Sequence, residues 1–431
     1  MTYDETLDYM YAQLPMYHRI GAAAYKADLA PTEALMAHLG HPERAFRSIH
    51  VAGTNGKGSV SHFLASILQE AGLKVGLYTS PHLVDFRERM RIGGEMISRA
   101  AVVDFVERNR EAMEGLKLSF FEMTVGLAFD WFAREKVDIA VVEVGMGGRL
   151  DSTNVITPEL SIITNIGLDH TQFLGDTLEK IAAEKAGIIK KGVPVVVGES
   201  QEATKPVFCK VAEEKGAPLV FADEHYLVDN INKYTEELTG EYQKKNIATV
   251  LMAVEVLRGK EQWRTVLTEN AVAMGLAKVV SNTHLRGRWE RLASDPLTIC
   301  ETAHNADGIR AMVDKVKQLG KRRVHLVYGC VNDKDSKSIL QILQQEIVRQ
   351  GVDITWYFSQ PTVPRRKPVA ELVAVASEVG IMGQQFEKVE DAVKAACRAA
   401  CAAGDGDMVL ITGSIFLVAD VLAAATKIFS H

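Results

Sequence analysis

One stretch constrains this chain more than any other: residues 49–60, reading I-H-V-A-G-T-N-G-K-G-S-V. The apolar Ile49 and Val51 read as a short buried strand, and Ser61 to Gly72 has helical spacing, with Phe63, Leu64, Ile67, Leu68 and Ala71 on one side. Strand, glycine turn, helix is a geometry that cradles phosphate. Small residues let backbone N–H groups converge, and the helix N-terminus supplies partial positive charge. Lys57 adds a full charge for the outer phosphates, and Ser59 offers a hydroxyl to Mg2+. The spacing departs from the common G-x-x-x-x-G-K-[ST] loop. Val51 stands where the first glycine belongs, and Gly58 separates Lys57 from Ser59. As a bare pattern the turn also fits an ordinary strand–helix connection, so its context must decide.

At 431 residues the chain exceeds one typical core, and two domains are expected. It is 47% hydrophobic and 24% charged with a net charge of −6, which argues against a general nucleic-acid binder. The five cysteines form no C-x-x-C pair; Cys397 and Cys401 share one face of an alanine-rich helix. They read as small packing residues in a reducing compartment. Met1-Thr-Tyr-Asp-Glu has neither a basic region nor an apolar core, and no stretch of about 18 apolar residues could span a membrane. A cytoplasmic protein is expected.

Residues 4–40 predict two helices, the second capped by Thr32. Residues 74–78 predict a strand running into Thr79-Ser80-Pro81-His82-Leu83, and the charge-dense Asp85 to Arg91 reads as a solvated loop face. Ser119 followed by Glu122 is a capping box ahead of an apolar helix. Ile139 to Val142 is a buried strand with Glu143 at its carboxyl end, and Leu160 to Ile163 leads into Asn165-Ile-Gly-Leu-Asp169-His170. In an open parallel sheet the ligand sits outside the carboxyl ends of the strands. A lone strand-end Glu or His would be structural; Lys57/Ser59, Glu143 and His170 at three successive ends favour a nucleotide–metal site. Asp176 to Lys190 is helical, and on spacing alone its Lys185 reads as solvated. Leu285 to Pro296 looks like a domain exit, after which strands and helices alternate again from Leu297 to Thr412 as a second doubly wound unit without a phosphate loop.

These features together resemble the folylpolyglutamate synthase/dihydrofolate synthase family of the Mur ligase superfamily. The likeness is carried by H-V-A-G-T-N-G-K-G-S at 50–59, T-S-P-H-L at 79–83, S-F-F-E at 119–122, E-V-G-x-G-G-R-L-D at 143–151 and N-I-G-x-D-H at 165–170. It continues with E-K-A-G-I at 184–188, L-x-G-x-x-Q-x-x-N at 238–246, G-R-x-E at 287–290, A-H-N at 303–305, D-K-D at 333–335 and T-G-S at 412–414. Where the family usually has Asp this chain has Glu301; Ala306 replaces a usual Pro, Tyr242 a usual His, and Lys26 to Pro31 stands in place of L-G-L-E-R.

The resemblance implies an α/β protein: an N-terminal P-loop domain (1–294) with a mostly parallel sheet flanked by helices, and a smaller C-terminal Rossmann-like domain (295–431). It implies ATP phosphates on Thr54, Asn55, Gly56, Lys57, Gly58 and Ser59, with Asn246, Arg288 and Glu301 also contacting the nucleotide. Ser59, Ser80, Glu143, His170 and a carbamylated Lys185 would hold Mg2+, with K+ a further candidate ion. Ser119, Phe120, Phe121, Glu122, Leu150, Asp151 and Ser152 would line a pterin site, and His304 and Ser414 would lie near incoming L-glutamate. The implied reaction activates a carboxylate as an acyl phosphate for attack by the glutamate amine, with Lys57 offsetting charge at the phosphate, carbamylated Lys185 beside the metals and His304 or Asp333 at the amine. Expected partners are dihydropteroate or reduced folates, L-glutamate and ATP, with neither nucleic acid nor membrane, for a monomer. Polyglutamylation alone is a close alternative. A Mur-type cell-wall ligase usually carries a third, N-terminal domain, and an NTP-driven switch leaves the A-H-N segment unexplained.

Overall fold

The computed structural model describes residues 1–13, 28–226, 241–332, 335–404 and 406–429. Strand β1 (Arg47–Ala52) lies inside an eight-stranded sheet, between β5 (Ile139–Glu143) and β6 (Leu160–Ile163), parallel to both. The remaining strands are β2 (Val75–Tyr78), β3 (Met90–Ile92), β4 (Glu95–Met96), β7 (Val195–Val197) and β8 (Leu219–Phe221), in the order β4-β3-β2-β5-β1-β6-β7-β8. All pairings are parallel except β2–β3 and β3–β4. Nearly continuous apolar runs are what such a sheet requires, since both faces are covered.

Alternate residues of β5 show how. Ile139 and Val141 join one core, with Phe63 and Ile67 of α3 (Lys57–Glu70) and Val250 of α8 (Glu241–Arg258). Ala140 and Val142 point the other way, into a core with Phe129 of α5 (Phe120–Arg134) and Phe105 of α4 (Arg99–Gly115). The other helices named here for this unit are α1 (Tyr3–Ala12), α2 (Ala30–His38), α6 (Leu178–Ala186), α7 (Lys205–Lys215) and α9 (Glu269–Ala277).

A second sheet holds β9 (Glu290–Ser294), β10 (Leu297–Cys300), β11 (Arg323–Tyr328), β12 (Asp353–Phe358), β13 (Gly383–Gln385) and β14 (Asp407–Thr412), in the order β13-β12-β11-β14-β10-β9. Among the described residues of this sheet only β9 runs antiparallel, against β10. Helices α10 (Ala306–Gln318), α11 (Ser336–Arg349) and α12 (Val369–Glu378) cover one face; α13 (Val389–Ala403) and α14 (Ile415–Ala423) cover the other. The two-domain α/β expectation holds. The chain divides into residues 1–82 with 86–285, and residues 83–85 with 286–431. The division falls ahead of the expected 294/295 because β9 pairs with β10 and completes the second sheet.

Several local expectations change. Thr32 is a buried residue inside α2, whose start has proline in its first turn and no side-chain cap. The charge-dense segment is no solvated face: Arg89 and Arg91 are buried, Arg89 lying 5.3 Å over the Phe120 ring and donating to His82 Nδ1 at 2.8 Å. The helix expected over 176–190 is limited to α6, with Thr177 as its cap. Among the described residues no helix is long and apolar enough to cross a membrane.

Candidate active site

The loop after β1 is held open by glycine and by its neighbours. Gly53 (φ 148°) has no room for a side chain, since a Cβ would lie 1.8 Å from Thr164 Oγ1. Gly56 (φ 86°) caps α3, and a Cβ there would meet Asn246 Oδ1 at 2.2 Å. The Asn55 N–H donates to Asn165 Oδ1 at 2.9 Å, and Thr54 Oγ1 bonds both Gly167 N and Gly167 O. The N-I-G-x-D-H segment thus braces the phosphate loop. Lys57 Nζ folds over the loop carbonyls, 3.0 Å from Gly53 O and 3.2 Å from Thr54 O. Ser59 stands in the first turn of α3, where backbone N–H groups lack intrahelical acceptors, and its Oγ accepts from Gln243 Nε2 at 3.3 Å. Gln243 in turn accepts from Asn246 Nδ2 at 2.8 Å.

Glu143 ends β5 with its carboxylate buried, accepting from Ser80 N at 3.1 Å. A Cβ on Gly58 would lie 3.8 Å from both of its oxygens, so the carboxylate sits beside the phosphate loop. His170, in the left-handed region at φ 51°, starts the short helix Thr171–Leu174 after β6. Among the described residues no three His, Cys, Asp or Glu side chains cluster as a metal site. The donors present instead combine hydroxyl and carboxylate oxygens, a hard set suited to Mg2+. The Ser80 backbone N–H holds Glu143 at this end of the sheet beside Gly58, and a carboxylate with serines close in the chain is chemically suited to a divalent ion.

Lys185 departs most from its sequence reading. It is 4% exposed, and burial together with Lys57 lowers its pKa to about 7, against the opposing pull of Asp169, Asp151 and Glu184. Its placement follows from two interlocked motifs. A Cβ on Gly187 would clash with Arg149 Cβ at 2.3 Å and one on Gly148 with Glu184 O at 2.9 Å, so glycine at each lets α6 dock on the loop after β5. The Arg149 N–H donates to Glu184 O at 2.8 Å, and its guanidinium pairs with Glu184 Oε1 at 2.8 Å. An amine that is half neutral near pH 7 is a nucleophile, unlike an ordinary lysine.

Ser119 and Glu122 form the expected reciprocal cap of α5. Phe120 packs on Phe86 at 5.8 Å between ring centroids and Phe121 on Tyr78 at 6.3 Å, while a Cβ on Gly145 would touch Phe121 Cζ at 2.4 Å. Asp151 and Ser152 are buried and Leu150 half-buried. Asp151 Oδ2 accepts from Met146 N at 2.9 Å; burial raises its pKa against these hydrogen bonds.

In the second unit Glu301 follows β10, accepts from Trp289 N at 2.9 Å and lies 3.8 Å from the Arg288 guanidinium. His304 Nδ1 is 3.0 Å from Thr302 O, and Thr412 Oγ1 donates to Ala303 O at 3.2 Å, joining the A-H-N and T-G-S segments at adjacent strand ends. Ser414 caps α14 through Phe416 N and Leu417 N. Asp333 lies outside the described residues.

Sequence reasoning did not single out Asn165, Gln243 or Lys315. The first two stand inside motifs that were recognised, so their place as polar motif positions was the available signal. Lys315 had none: it lies on a helix whose buried stripe is Ile309, Met312, Val313 and Val316.

The Mur ligase middle domain matches residues 51–254, and the Mur ligase glutamate ligase domain matches residues 287–415. The folylpolyglutamate synthase of Lacticaseibacillus casei is 33% identical over 98% of both chains. That decides the family. The chain belongs to the folylpolyglutamate synthase/dihydrofolate synthase family. The dihydrofolate synthase/folylpolyglutamate synthase of Bacillus subtilis is 34% identical over 92% of this chain and 94% of its own. The Yersinia pestis bifunctional enzyme, solved with AMPPNP and a Mn ion, superposes with a TM-score of 0.81 at 29% identity, covering 98% of each chain. Folylpolyglutamate synthase/dihydrofolate synthase enzymes are ATP-dependent glutamate ligases that use a divalent metal.

Proposed function

We propose that this chain adds L-glutamate both to dihydropteroate and to reduced folates. The observation that carries the reading is the meeting of phosphate loop, Glu143, Ser80 and a buried Lys185 at one end of the first sheet, in a chain of this family. A carboxylate is a poor acyl donor. Its oxygen attacks the γ-phosphorus of ATP and ADP leaves; the glutamate amine then attacks the acyl carbonyl, phosphate departs and the amine's proton passes to a base. Thr54, Asn55, Gly56, Lys57, Gly58 and Ser59 hold the phosphates, Lys57 compensating charge as the phosphoryl group moves, while Asn246, Arg288 and Glu301 contact the nucleotide. Mg2+, when held by Ser59, Ser80, Glu143 and His170, supplies further charge neutralisation.

Neutral Lys185 would add CO2 at Nζ and release a proton, giving a carbamate oxygen for the metal. Ser119 to Glu122 and Leu150 to Ser152 receive the pterin, and His304 and Ser414 receive glutamate, with His304 or Asp333 as the base. The first unit would serve ATP and acceptor, and the second the incoming amino acid, in a cytoplasmic monomer. K+ is a candidate activating ion.

The name of the Lacticaseibacillus casei relative favours a second reading, polyglutamylation alone. Product mass and phosphate release with ATP, Mg2+ and L-glutamate separate the two when 7,8-dihydropteroate and a reduced folylmonoglutamate are offered singly. Glutamyl adducts on both support the bifunctional reading; extension of the folate alone selects the second. No adduct on either rejects both.

A further inference from the structure

His50 is the first residue of the phosphate-loop motif, yet it has no part in the loop. It lies on β1, fully buried, on the face opposite Ile49 and Val51. Its Nε2 is 2.9 Å from Thr153 Oγ1. The Thr153 hydroxyl in turn lies 2.5 Å from Asp151 Oδ1, which also accepts from Thr153 N at 3.0 Å. Asp151 Oδ2 is held by Met146 N.

Donor accounting fixes the direction of this chain. A carboxylate that already accepts two backbone N–H groups accepts again from the Thr153 hydroxyl, which spends its only proton there. The remaining lone pairs of Thr153 Oγ1 can only accept, so His50 Nε2 carries the hydrogen and Nδ1 does not. Consistently, buried Nδ1 has no hydrogen-bond partner among the described residues. Burial, with Lys190 adding to it, lowers the His50 pKa to about 3, so the ring stays neutral and the tautomer fixed through the physiological range.

We propose that His50 is a positioning residue for the acceptor site, its Nε2–H orienting the Thr153 hydroxyl and through it the Asp151 carboxylate. The inference rests on the reading above that Asp151 lines the pterin pocket. His50 touches no substrate. It stands three residues before Gly53, on the strand that delivers the phosphate loop, so one strand sets the nucleotide loop at its end and the acceptor carboxylate from its flank. Hydrogen-bond chains of this kind polarise one another, so losing the first donor weakens the last contact as well.

The test is steady-state kinetics with 7,8-dihydropteroate and a reduced folylmonoglutamate as acceptors, beside ADP binding by calorimetry. His50→Leu keeps an apolar side chain of similar bulk and removes the donor; His50→Gln restores an N–H at the reach of Nε2. His50→Leu should raise the acceptor KM roughly tenfold, with kcat at saturating acceptor, ATP KM and ADP affinity unchanged. His50→Gln should recover most of that loss. Thr153→Val should match His50→Leu, and the double variant should be no worse than Thr153→Val alone. Equal rises in acceptor and ATP KM, additive losses in the double variant, or a Gln variant no better than Leu would each overturn the proposal. Asp151→Asn separates the two levels. If it leaves acceptor KM unchanged, the pocket reading fails and the inference with it. If it raises acceptor KM while His50→Leu does not, only the inference fails. Should His50→Leu not fold, Thr153→Val against Thr153→Ser, which keeps the hydroxyl, decides on the same KM-against-kcat split.

Discussion

Each half of the molecule buries a lysine deeply enough to bring its pKa to about 7, yet the two have opposite surroundings. Lys185, in the first unit, is influenced by Lys57 and by Asp169, Asp151 and Glu184 around the end of the sheet that carries the phosphate loop. Lys315, in the second, lies 4.4 Å over the indole of Trp289, and Glu301 is the charge that pulls its pKa back up. A shifted pKa marks burial; the neighbours decide whether the group can do chemistry. Lys185 has oxygen donors and a second cation beside it. Lys315 has the aromatic face of Trp289, whose backbone N–H donates to Glu301 Oε2.

The comparison can be sharpened first at the phosphate loop. Lys57→Ala should lower turnover by about 10²–10³ at saturating ATP, measured as phosphate release. Lys185→Ala should cost about a hundredfold, a loss typical of disturbing groups that support a metal. Neutral amine is required for CO2 addition, so wild-type turnover should fall as pH drops through about 7, and a ¹³C carbamate resonance should form from labelled bicarbonate. Full turnover in CO2-free buffer, with no such resonance, would remove the distinction between the two lysines. In the second unit His304→Ala should raise the glutamate KM by roughly tenfold and leave ATP KM unchanged.

The smallest effect on turnover is expected from Lys315→Met, whose signature is stability instead. Because the folded pKa of Lys315 is depressed to about 7 from 10.5, the unfolded chain binds the extra proton between those values. Wild-type stability should therefore rise with pH across that window. The advantage of Lys315→Met over wild type should grow by on the order of a few kcal/mol as pH falls from about 10 to 7, and then level off. Urea titrations at three pH values would show it. A Lys315→Met variant as inactive as Lys185→Ala would break the comparison.

Much of this site was legible in the sequence because its signals are local. The glycine turn, the apolar runs of β1, β5 and β6 and the residues at their ends follow from period and turn chemistry, and the structure keeps Glu143 at a strand end and Ser119 at a helix cap. What was not legible depends on contacts distant in sequence. A lysine on α6 reads as solvated until Gly148 and Gly187 let that helix dock against Arg149. Arg89 and Arg91 look like solvent-facing charge until Phe120 and His82 close over the former and Gly94 O accepts from the latter. Trp289, at φ 51°, gives no sequence sign of its left-handed turn. Lys315 breaks the apolar rule of its own helix face, and only the indole beside it explains why.

The three residues Leu83–Asp85 belong with the second unit although they are flanked on both sides by the first. Leu83 packs against that unit's second core and lies where a Cβ on Gly287 would meet it at 3.1 Å. On a ribosome this sets an order of events. The residues from 86 to 285 must emerge before Leu83 can meet its partners, a wait of about 10–40 s at ordinary elongation rates. The later half therefore finishes folding around a piece made early, and a product beginning at Arg286 would lack that piece.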